Sequence, residues 1–187
     1  MDAIMAVLAA TLLANADGRY GQLLGGLIEV RRDRRMAVIT FFAVFAVLAI
    51  SSAIGAVLAS RMLGLGVLNL FAALALGSAA GALLWQARGA VDVAALAGAP
   101  LAVLFVRLLL IQLGDRNQFL IFALGALSGA ALWGIAGGAA GLLVAMLPVL
   151  ALGPGLLAAR GARWLRWGAA AALLWWAASH LRGAFGV

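Results

Sequence analysis

The stretch that decides the fold is Ile111-Gln112-Leu113-Gly114-Asp115-Arg116-Asn117-Gln118-Phe119. It places an acid, a base and three side-chain amides inside a long apolar run. Charge is costly at membrane depth, so an ionisable residue there indicates a functional site. A weaker counterpart near the N-terminus reads Asn15-Ala16-Asp17-Gly18-Arg19-Tyr20-Gly21-Gln22. We call residues 15–22 the first polar patch and residues 111–119 the second polar patch.

The composition predicts an integral membrane protein. Of the 187 residues, 67% are hydrophobic and 10% are charged, and the mean hydropathy is +1.16. A soluble domain carries about 25% charged residues. A spanning helix needs roughly 20 apolar residues, which leaves room for about six. We expect an all-α fold with six transmembrane helices near residues 3–27, 36–59, 65–85, 101–127, 130–150 and 167–181.

The basic residues favour a membrane topology signal and not a nucleic-acid surface. The net charge is +7, and all 13 basic residues are arginines that lie mostly between apolar runs. Six spans put Arg61 and Arg182 on one side of the membrane. The other side receives eight arginines, at positions 31, 32, 34, 35, 88, 160, 163 and 166. Because positive residues favour the cytoplasmic side, both termini are predicted to lie outside the cell (inner) membrane.

Several classes of chemistry find no support in the sequence. The chain contains no Cys, which excludes disulfides, thiolate metal sites and Cys catalysis. It has no nucleophile elbow, no Gly-rich phosphate loop and no HExxH motif, and a single histidine, His180, makes no metal site. We expect no enzyme and no cofactor. The expected partner is the lipid bilayer, with a further membrane protein or a second copy of the chain as alternatives.

The chain divides into two halves, residues 1–90 and 91–187, each with three predicted spans in a single membrane domain. Asn15 and Gln112 lie 97 positions apart, and Leu23 and Leu120 keep that spacing. Three spans per half give the second half the opposite orientation. The sequence thus predicts two inverted three-helix repeats with a site where they meet, as in many secondary transporters. Small-residue pairs such as Gly134/Gly138 favour packing within the bundle over a dimer face.

The second polar patch resembles the signature of the Golgi-type manganese/calcium–proton exchanger family. That family carries the motif E-x-G-D-[KR]-[ST] once in each half of a six-span inverted repeat, often followed by Gln. Gly114, Asp115, Arg116 and Gln118 match it, whereas Gln112 and Asn117 replace the glutamate and the hydroxyl residue. In the first patch the basic position matches at Arg19, Asn15 and Tyr20 are replacements, and the Gly-Asp order is reversed in Asp17-Gly18. Both motif glutamates are therefore missing.

The resemblance implies proton-coupled transport of Mn²⁺ or Ca²⁺ at a site shared by the two patches. The implied ligands are Asp115, Gln112, Gln118, Asn15 and Asp17. The implied supporting residues are Gly114, Arg116, Arg19 and Asn117. Because divalent cations favour several carboxylates, the missing glutamates predict weaker binding or a different selectivity. The alternative function is a non-transporting homologue that acts as a structural or accessory subunit of a membrane assembly.

Helix geometry leaves two interpretations open. On a continuous helix, Gln112 shares a face with Asp115 and Arg116. Asp17 lies about 200° from Asn15, which makes the first patch a structural relic unless Gly18 breaks the helix. Asp115 is expected to pair with Arg116 or Arg107, to hold a cation or to take up a proton, and the alternative is a polar lock between spans.

Overall fold

The computed structural model describes residues 2–85, 93–153 and 160–186, which are helical apart from short turns. A 3₁₀ turn at Ala94–Leu96 precedes the fifth helix. In chain order the helices are α1 (Asp2–Ala14), α2 (Arg19–Val30), α3 (Arg34–Met62), α4 (Leu65–Leu84), α5 (Leu101–Gln112), α6 (Arg116–Ser128), α7 (Ala131–Leu152) and α8 (Arg160–Phe185). The described residues contain no strand, so the all-α prediction is confirmed.

Three of the described helices, α3, α4 and α7, are long and apolar enough to cross a membrane. They lie at the second, third and fifth predicted spans. Ile39, Ile50 and Ile54 of α3 are each at least half exposed, and a row of exposed isoleucines suits contact with lipid better than contact with water. The chain is thus consistent with a membrane protein.

The first and fourth predicted spans are each divided into two shorter helices. Residues 3–27 were expected to form one helix but contain α1 and α2, and residues 101–127 contain α5 and α6. The expectation of two continuous helices is therefore wrong. Both interruptions fall inside the polar patches, at residues 15–18 and 113–115.

The helices begin at the same spacing in the two halves. The first residues of α2 and α6 are Arg19 and Arg116, which are 116 − 19 = 97 positions apart. The first residues of α3 and α7 are Arg34 and Ala131, and 131 − 34 is again 97. The spacing seen in the sequence for Asn15 and Gln112 thus extends to the helix starts.

Helices α1 and α7 pack with their backbones almost in contact. A Cβ atom added at Gly141 would lie 2.6 Å from the carbonyl oxygen of Leu8, and one added at Gly137 would overlap the carbonyl oxygen of Ile4. Such close approach requires small residues. These glycines therefore pack within the bundle.

Helix α4 packs along α8, and among the described residues this is the most extensive helix pair. Asn69 Oδ1 lies 2.9 Å from His180 Nδ1, so the beginning of α4 and the end of α8 lie at the same end of the bundle. Gly77 and Gly81 of α4 do not face a neighbouring helix, because no described atom would lie within 4 Å of a Cβ added at either position.

Arg31 joins the two halves of the chain at the opposite end. Its guanidinium donates to the carbonyl oxygens of Leu96 at 2.7 Å and Ala99 at 2.9 Å. It also pairs with Asp33 at 2.8 Å. The hydrogen bond from Arg31 holds the pKa of the Asp33 carboxyl below its usual range. The α2–α3 connection and the segment before α5 are thus held together.

Candidate functional site

Two glycines interrupt the helices at the polar patches. Gly18, just before α2, has φ 67°, and Gly114, just before α6, has φ 73°. Backbone with this left-handed conformation is readily adopted by glycine and is strained for other residues. At each break, the backbone groups at the helix ends lose their partners within the helix. These groups and the nearby polar side chains can then contact the other patch, which continuous helices would prevent.

The breaks change which residues share a face. Continuous-helix geometry placed Gln112, Asp115 and Arg116 on one face, but α5 ends at Gln112 and α6 begins at Arg116. It also turned Asp17 away from the site unless Gly18 broke the helix. Gly18 does end the helical path, and Asp17 faces the second patch. The geometric argument for a relic, that Asp17 points away from the second patch, therefore does not hold.

Asp17 and Arg116 form an ion pair between the two patches. Arg116 Nη2 lies 2.7 Å from both Asp17 Oδ1 and Asp17 Oδ2. The side chains are 19% and 6% exposed, respectively. Asp17 Oδ1 also accepts from the backbone N–H of Arg19 at 3.2 Å. Arg116 therefore neutralises Asp17, whereas the sequence had suggested Asp115 as its partner.

Asn15 and Asn117 form a second, uncharged link between the patches. Asn15 Nδ2 donates to Asn117 Oδ1 at 2.8 Å, and Asn117 Nδ2 donates to Asn15 Oδ1 at 3.5 Å. Both side chains are buried. Asn15 Nδ2 also reaches the carbonyl oxygen of Thr11 at 2.7 Å. Asn15 is thus occupied in joining the end of α1 to α6.

Asp115 occupies the start of α6 and meets the first patch through Tyr20. The Tyr20 hydroxyl donates to Asp115 Oδ2 at 2.7 Å, and the backbone N–H of Asn117 donates to the same oxygen at 3.3 Å. A carboxylate in this position caps the helix and meets the positive end of its dipole. Arg107, the other suggested partner, is exposed and donates to the carbonyl oxygen of Ala95.

Gln112 is buried beside Asp115 without hydrogen-bond partners among the described residues. Its side chain is 2% exposed, and neither Oε1 nor Nε2 has a partner there. A buried amide without partners is costly, so it points to a ligand or a water molecule. Gln118 differs, because its Oε1 accepts from the Gly114 N–H at 3.1 Å and its Nε2 donates to the Gln112 carbonyl oxygen. The Gln118 side chain thus binds backbone groups that the helix break leaves without helical partners.

A small cleft lies where Gln112 and Asp115 face α2. Its volume of about 10 Å³ is about the space that one water molecule needs. The cleft is lined by Arg19, Tyr20, Leu23, Ile111, Gln112 and Asp115. Arg19 is exposed. The cleft thus joins one carboxylate, one unpartnered amide, one hydroxyl and one guanidinium from both halves of the chain.

The arrangement brings most of the predicted site residues together, in three connected groups. The ion pair holds Asp17 and Arg116, the amide pair holds Asn15 and Asn117, and the cleft holds Gln112 and Asp115. Within the described residues, no three His, Cys, Asp or Glu side chains form a group that could hold a metal ion. The carboxylate that faces the cleft can accept a cation or a proton, and the nearby amide can offer a neutral oxygen.

The sequence interpretation missed the role of Tyr20. It recorded Tyr20 only as a replacement for Ser or Thr, yet its hydroxyl provides the contact between the first patch and Asp115. The signal was present, because Tyr20 is the one tyrosine of the chain and stands at the hydroxyl position of the motif. A hydroxyl on a longer side chain reaches a partner that Ser or Thr would not.

Comparison with models of known protein families, with curated proteins and with solved structures gives no match for this chain.

Proposed function

We propose that this protein is a secondary transporter that exchanges a cation for a proton across the cell membrane, with Asp115 as the shared binding group. The observation that carries the proposal is the cleft in which the Asp115 carboxylate lies beside the buried, unpartnered amide of Gln112. A structural lock would use its polar atoms internally, whereas Gln112 leaves both of its amide atoms unused. A carboxylate beside a free oxygen donor suits alternate occupation by a cation and a proton.

The two broken helices support this assignment. Interrupted helices that meet near the midplane form the sites of many transporters, because the break frees backbone carbonyls and helix ends. Here the ends of α1 and α5 and the beginnings of α2 and α6 surround the polar groups. The resemblance of Gly114-Asp115-Arg116 to the exchanger motif points to the same function, with Mn²⁺ or Ca²⁺ as the family's ions.

We infer that the halves are inverted three-helix repeats. Gly137 contacts Ile4, and Gly141, four residues later, contacts Leu8, also four residues later. Helix α1 therefore lies parallel to α7. Helix α6 leads into α7 through a two-residue turn, Gly129 and Ala130. The first broken helix (α1 and α2) thus runs in the same direction as α7, and the second broken helix (α5 and α6) runs in the opposite direction. Together with the 97-residue spacing, this supports six membrane crossings, with both termini outside the inner membrane.

A second candidate function is that of a non-transporting accessory subunit. It is favoured by the Asp17–Arg116 and Asn15–Asn117 links, which use four polar side chains to join the patches. Such links could serve only to hold the bundle together. The unpartnered amide of Gln112 is the feature that this function leaves unexplained, and for that reason we prefer transport.

The test is a proton-flux assay with purified protein in liposomes that contain a pH-sensitive dye. Gradients of MnCl₂, CaCl₂, NaCl, LiCl and KCl are imposed in turn. We expect at least one salt to drive proton movement, and Asp115→Asn to reduce it to the level of protein-free liposomes. Asn can still cap a helix, so this variant should fold. Asp33→Asn removes an acid outside the site and should retain the flux. If the parent moves protons with none of these salts, the accessory function replaces the proposal.

A further inference from the structure

We infer that water reaches the cleft along the exposed face of α2, from the end of the bundle at which Arg31 lies. The inference rests on the proposed function, because a hydrated cation needs such a route, and it names the helix and the side that provide it. Three observations carry it. They are the polar exposed face of α2, the apolar exposed faces of the three long helices, and the position of Arg19 at both the face and the cleft.

Helix α2 has one polar face. Arg19, Gln22 and Glu29 are exposed, and at 3.6 residues per turn they lie within an arc of about 80°. Leu24 and Leu27, on the far side of the helix, are buried. An amphipathic helix turns its apolar side to the core of the protein and its polar side to water. The exposed face of α2 therefore favours contact with water.

The three long helices expose a different surface. Away from the helix ends, their large exposed side chains are apolar, and they include Ile39, Ile50 and Ile54 of α3, Leu70, Phe71 and Leu74 of α4, and Leu143, Val144 and Leu147 of α7. Such side chains suit lipid hydrocarbon, whereas a charged side chain that faces hydrocarbon is costly. Lipid thus fits the exposed faces of α3, α4 and α7, and it does not fit the face of α2 that carries Arg19.

The polar face of α2 connects one end of the bundle with the cleft. Glu29 lies close to Arg31, which binds the segment before α5 at that end. Arg19 and Glu29 are 29 − 19 = 10 positions apart, which is about 15 Å along a helix. Arg19 is exposed and also lines the cleft, together with Gln112. Water that follows the face from Glu29 thus arrives at the cleft.

The segment before α5 lies against this face at Gly26. This glycine falls in the same arc as the polar residues, and the Val93 Cγ2 atom would lie 3.3 Å from a Cβ added there. The 3₁₀ turn that follows Val93 is held by Arg31. Water must therefore pass beside this segment on its way from Glu29 to Gln22. We expect it to reach Gln22 more slowly than Glu29.

The experiment uses the full chain with single introduced cysteines, because the chain has none of its own. Gln22→Cys reports on the face of α2. Ile39→Cys is the matched control, because Ile39 is 58% exposed on the apolar surface of α3. The rings of Tyr20 and Phe41 lie 6.0 Å apart. Gln22 and Ile39 each lie two residues from one of these rings, toward the Arg31 end, so they lie at a similar depth.

Ser60→Cys and Gly98→Cys, at the two ends of the bundle, identify the two sides of sealed vesicles. An impermeant maleimide is added to one side or the other, and a denatured sample shows that each cysteine can react. The thiolate is the reacting species, and burial away from water disfavours it. We therefore expect Gln22→Cys to react at least about tenfold faster than Ile39→Cys, and only from the side of Gly98→Cys. Glu29→Cys should react faster still.

Three results would overturn the inference. If Gln22→Cys reacts as slowly as Ile39→Cys, lipid or another protein covers the face. If Gln22→Cys reacts from the side of Ser60→Cys, the route opens at the other end. If oxidation in the membrane converts most of Gln22→Cys into a disulfide-linked dimer, a second copy of the chain occupies the face in place of water.

The labelling needs no ion gradient, so it decides the route even if no salt drives proton flux and the proposed function fails. Where the parent shows flux, maleimide-treated Gln22→Cys should lose most of it, because the attached group obstructs the face. Ile39→Cys treated in the same way should keep its flux. Unchanged flux in fully labelled Gln22→Cys would show that the ion does not follow this face, and the inference would fail while the proposed function stands.

Discussion

Arg116 holds both carboxylate oxygens of Asp17 at 2.7 Å, although 99 positions of the chain separate the two residues. The pair connects the beginning of α6 with the turn that precedes α2. It therefore links the two polar patches. Under the proposed function, it also determines which acid remains for an ion, because Arg116 is paired with Asp17 and not with Asp115. The same contact thus contributes to stability and to the chemistry of the cleft.

The ion pair predicts strong coupling between Asp17 and Arg116. Asp17→Asn leaves a buried guanidinium without its counter-charge, and we expect the free energy of unfolding to fall by about 3 kcal/mol, near the lower end for a buried pair. The double variant Asp17→Asn with Arg116→Gln should recover part of this loss, because it leaves no unpaired charge. Thermal unfolding in detergent of the parent, both single variants and the double variant gives the coupling energy. Additive losses would contradict a direct interaction.

The close contact between α1 and α7 predicts that adding a single methyl group lowers stability at one glycine, Gly141, and not at another, Gly81. Gly141→Ala places a Cβ 2.6 Å from the Leu8 carbonyl oxygen, so the helices must separate, at a cost of about 1–3 kcal/mol. Gly81→Ala on α4 is the matched control, because a Cβ there meets no described atom within 4 Å and alanine favours a helix. The melting temperature should fall for the first variant and stay level or rise for the second. Equal effects would refute the close approach.

Asp33 predicts a pH dependence at the cytoplasmic end of the proposed topology. The hydrogen bond from Arg31 lowers the pKa of Asp33 in the folded chain. A lowered folded pKa gives stability that is present above the unfolded value of about 3.9 and is lost as the pH falls through the folded value. As the pH is lowered from about 5, the melting temperature of the parent should therefore fall by more than that of Asp33→Asn. The melting temperatures of both proteins across this range test it, and parallel curves would show that the pair contributes nothing.

The orientation can be tested with introduced cysteines, because the chain contains none of its own. Ser60 lies near the end of α3 that carries Arg61, and Gly98 lies between Leu96 and Ala99, which bind Arg31 at the other end. An impermeant thiol reagent added to intact cells should label Ser60→Cys and spare Gly98→Cys. Permeabilised cells, in which both should react, provide the control. The reverse labelling pattern would invert the proposed topology.

The sequence located three of the unbroken helices well and the broken ones poorly, and the sixth predicted span, 167–181, lies within the longer helix α8, Arg160–Phe185. Apolar runs of sufficient length located α3, α4 and α7 to within about three residues, because length and hydropathy determine such helices. The interruptions at Gly18 and Gly114 are different, because glycine is also common inside membrane helices. Whether it breaks a helix depends on what compensates for the lost hydrogen bonds. Here that compensation includes Gln118, which binds the Gly114 N–H.

The residues of the two patches were identified from the sequence, but the partners that they contact were not. Both patches were identified because ionisable groups stand out in an apolar chain. The pairings Asp17 with Arg116, Asn15 with Asn117 and Asp115 with Tyr20 all join residues that lie about a hundred positions apart. Sequence spacing along one helix cannot reveal them. They follow from the way in which the two halves meet, and a 97-residue spacing alone does not specify that.

The hydrogen bonds between Asn15 and Asn117 link the two patches in a way that we expect to be insensitive to pH, transmembrane voltage and ionic strength. Its donors and acceptors are neutral amides, which do not titrate in the physiological range and carry no net charge for a transmembrane voltage to act on. Ionic strength likewise has little effect on a buried, uncharged contact. In the proposed transport cycle, we therefore expect this contact to stay the same whatever occupies the cleft. It would keep the end of α1 joined to α6 throughout.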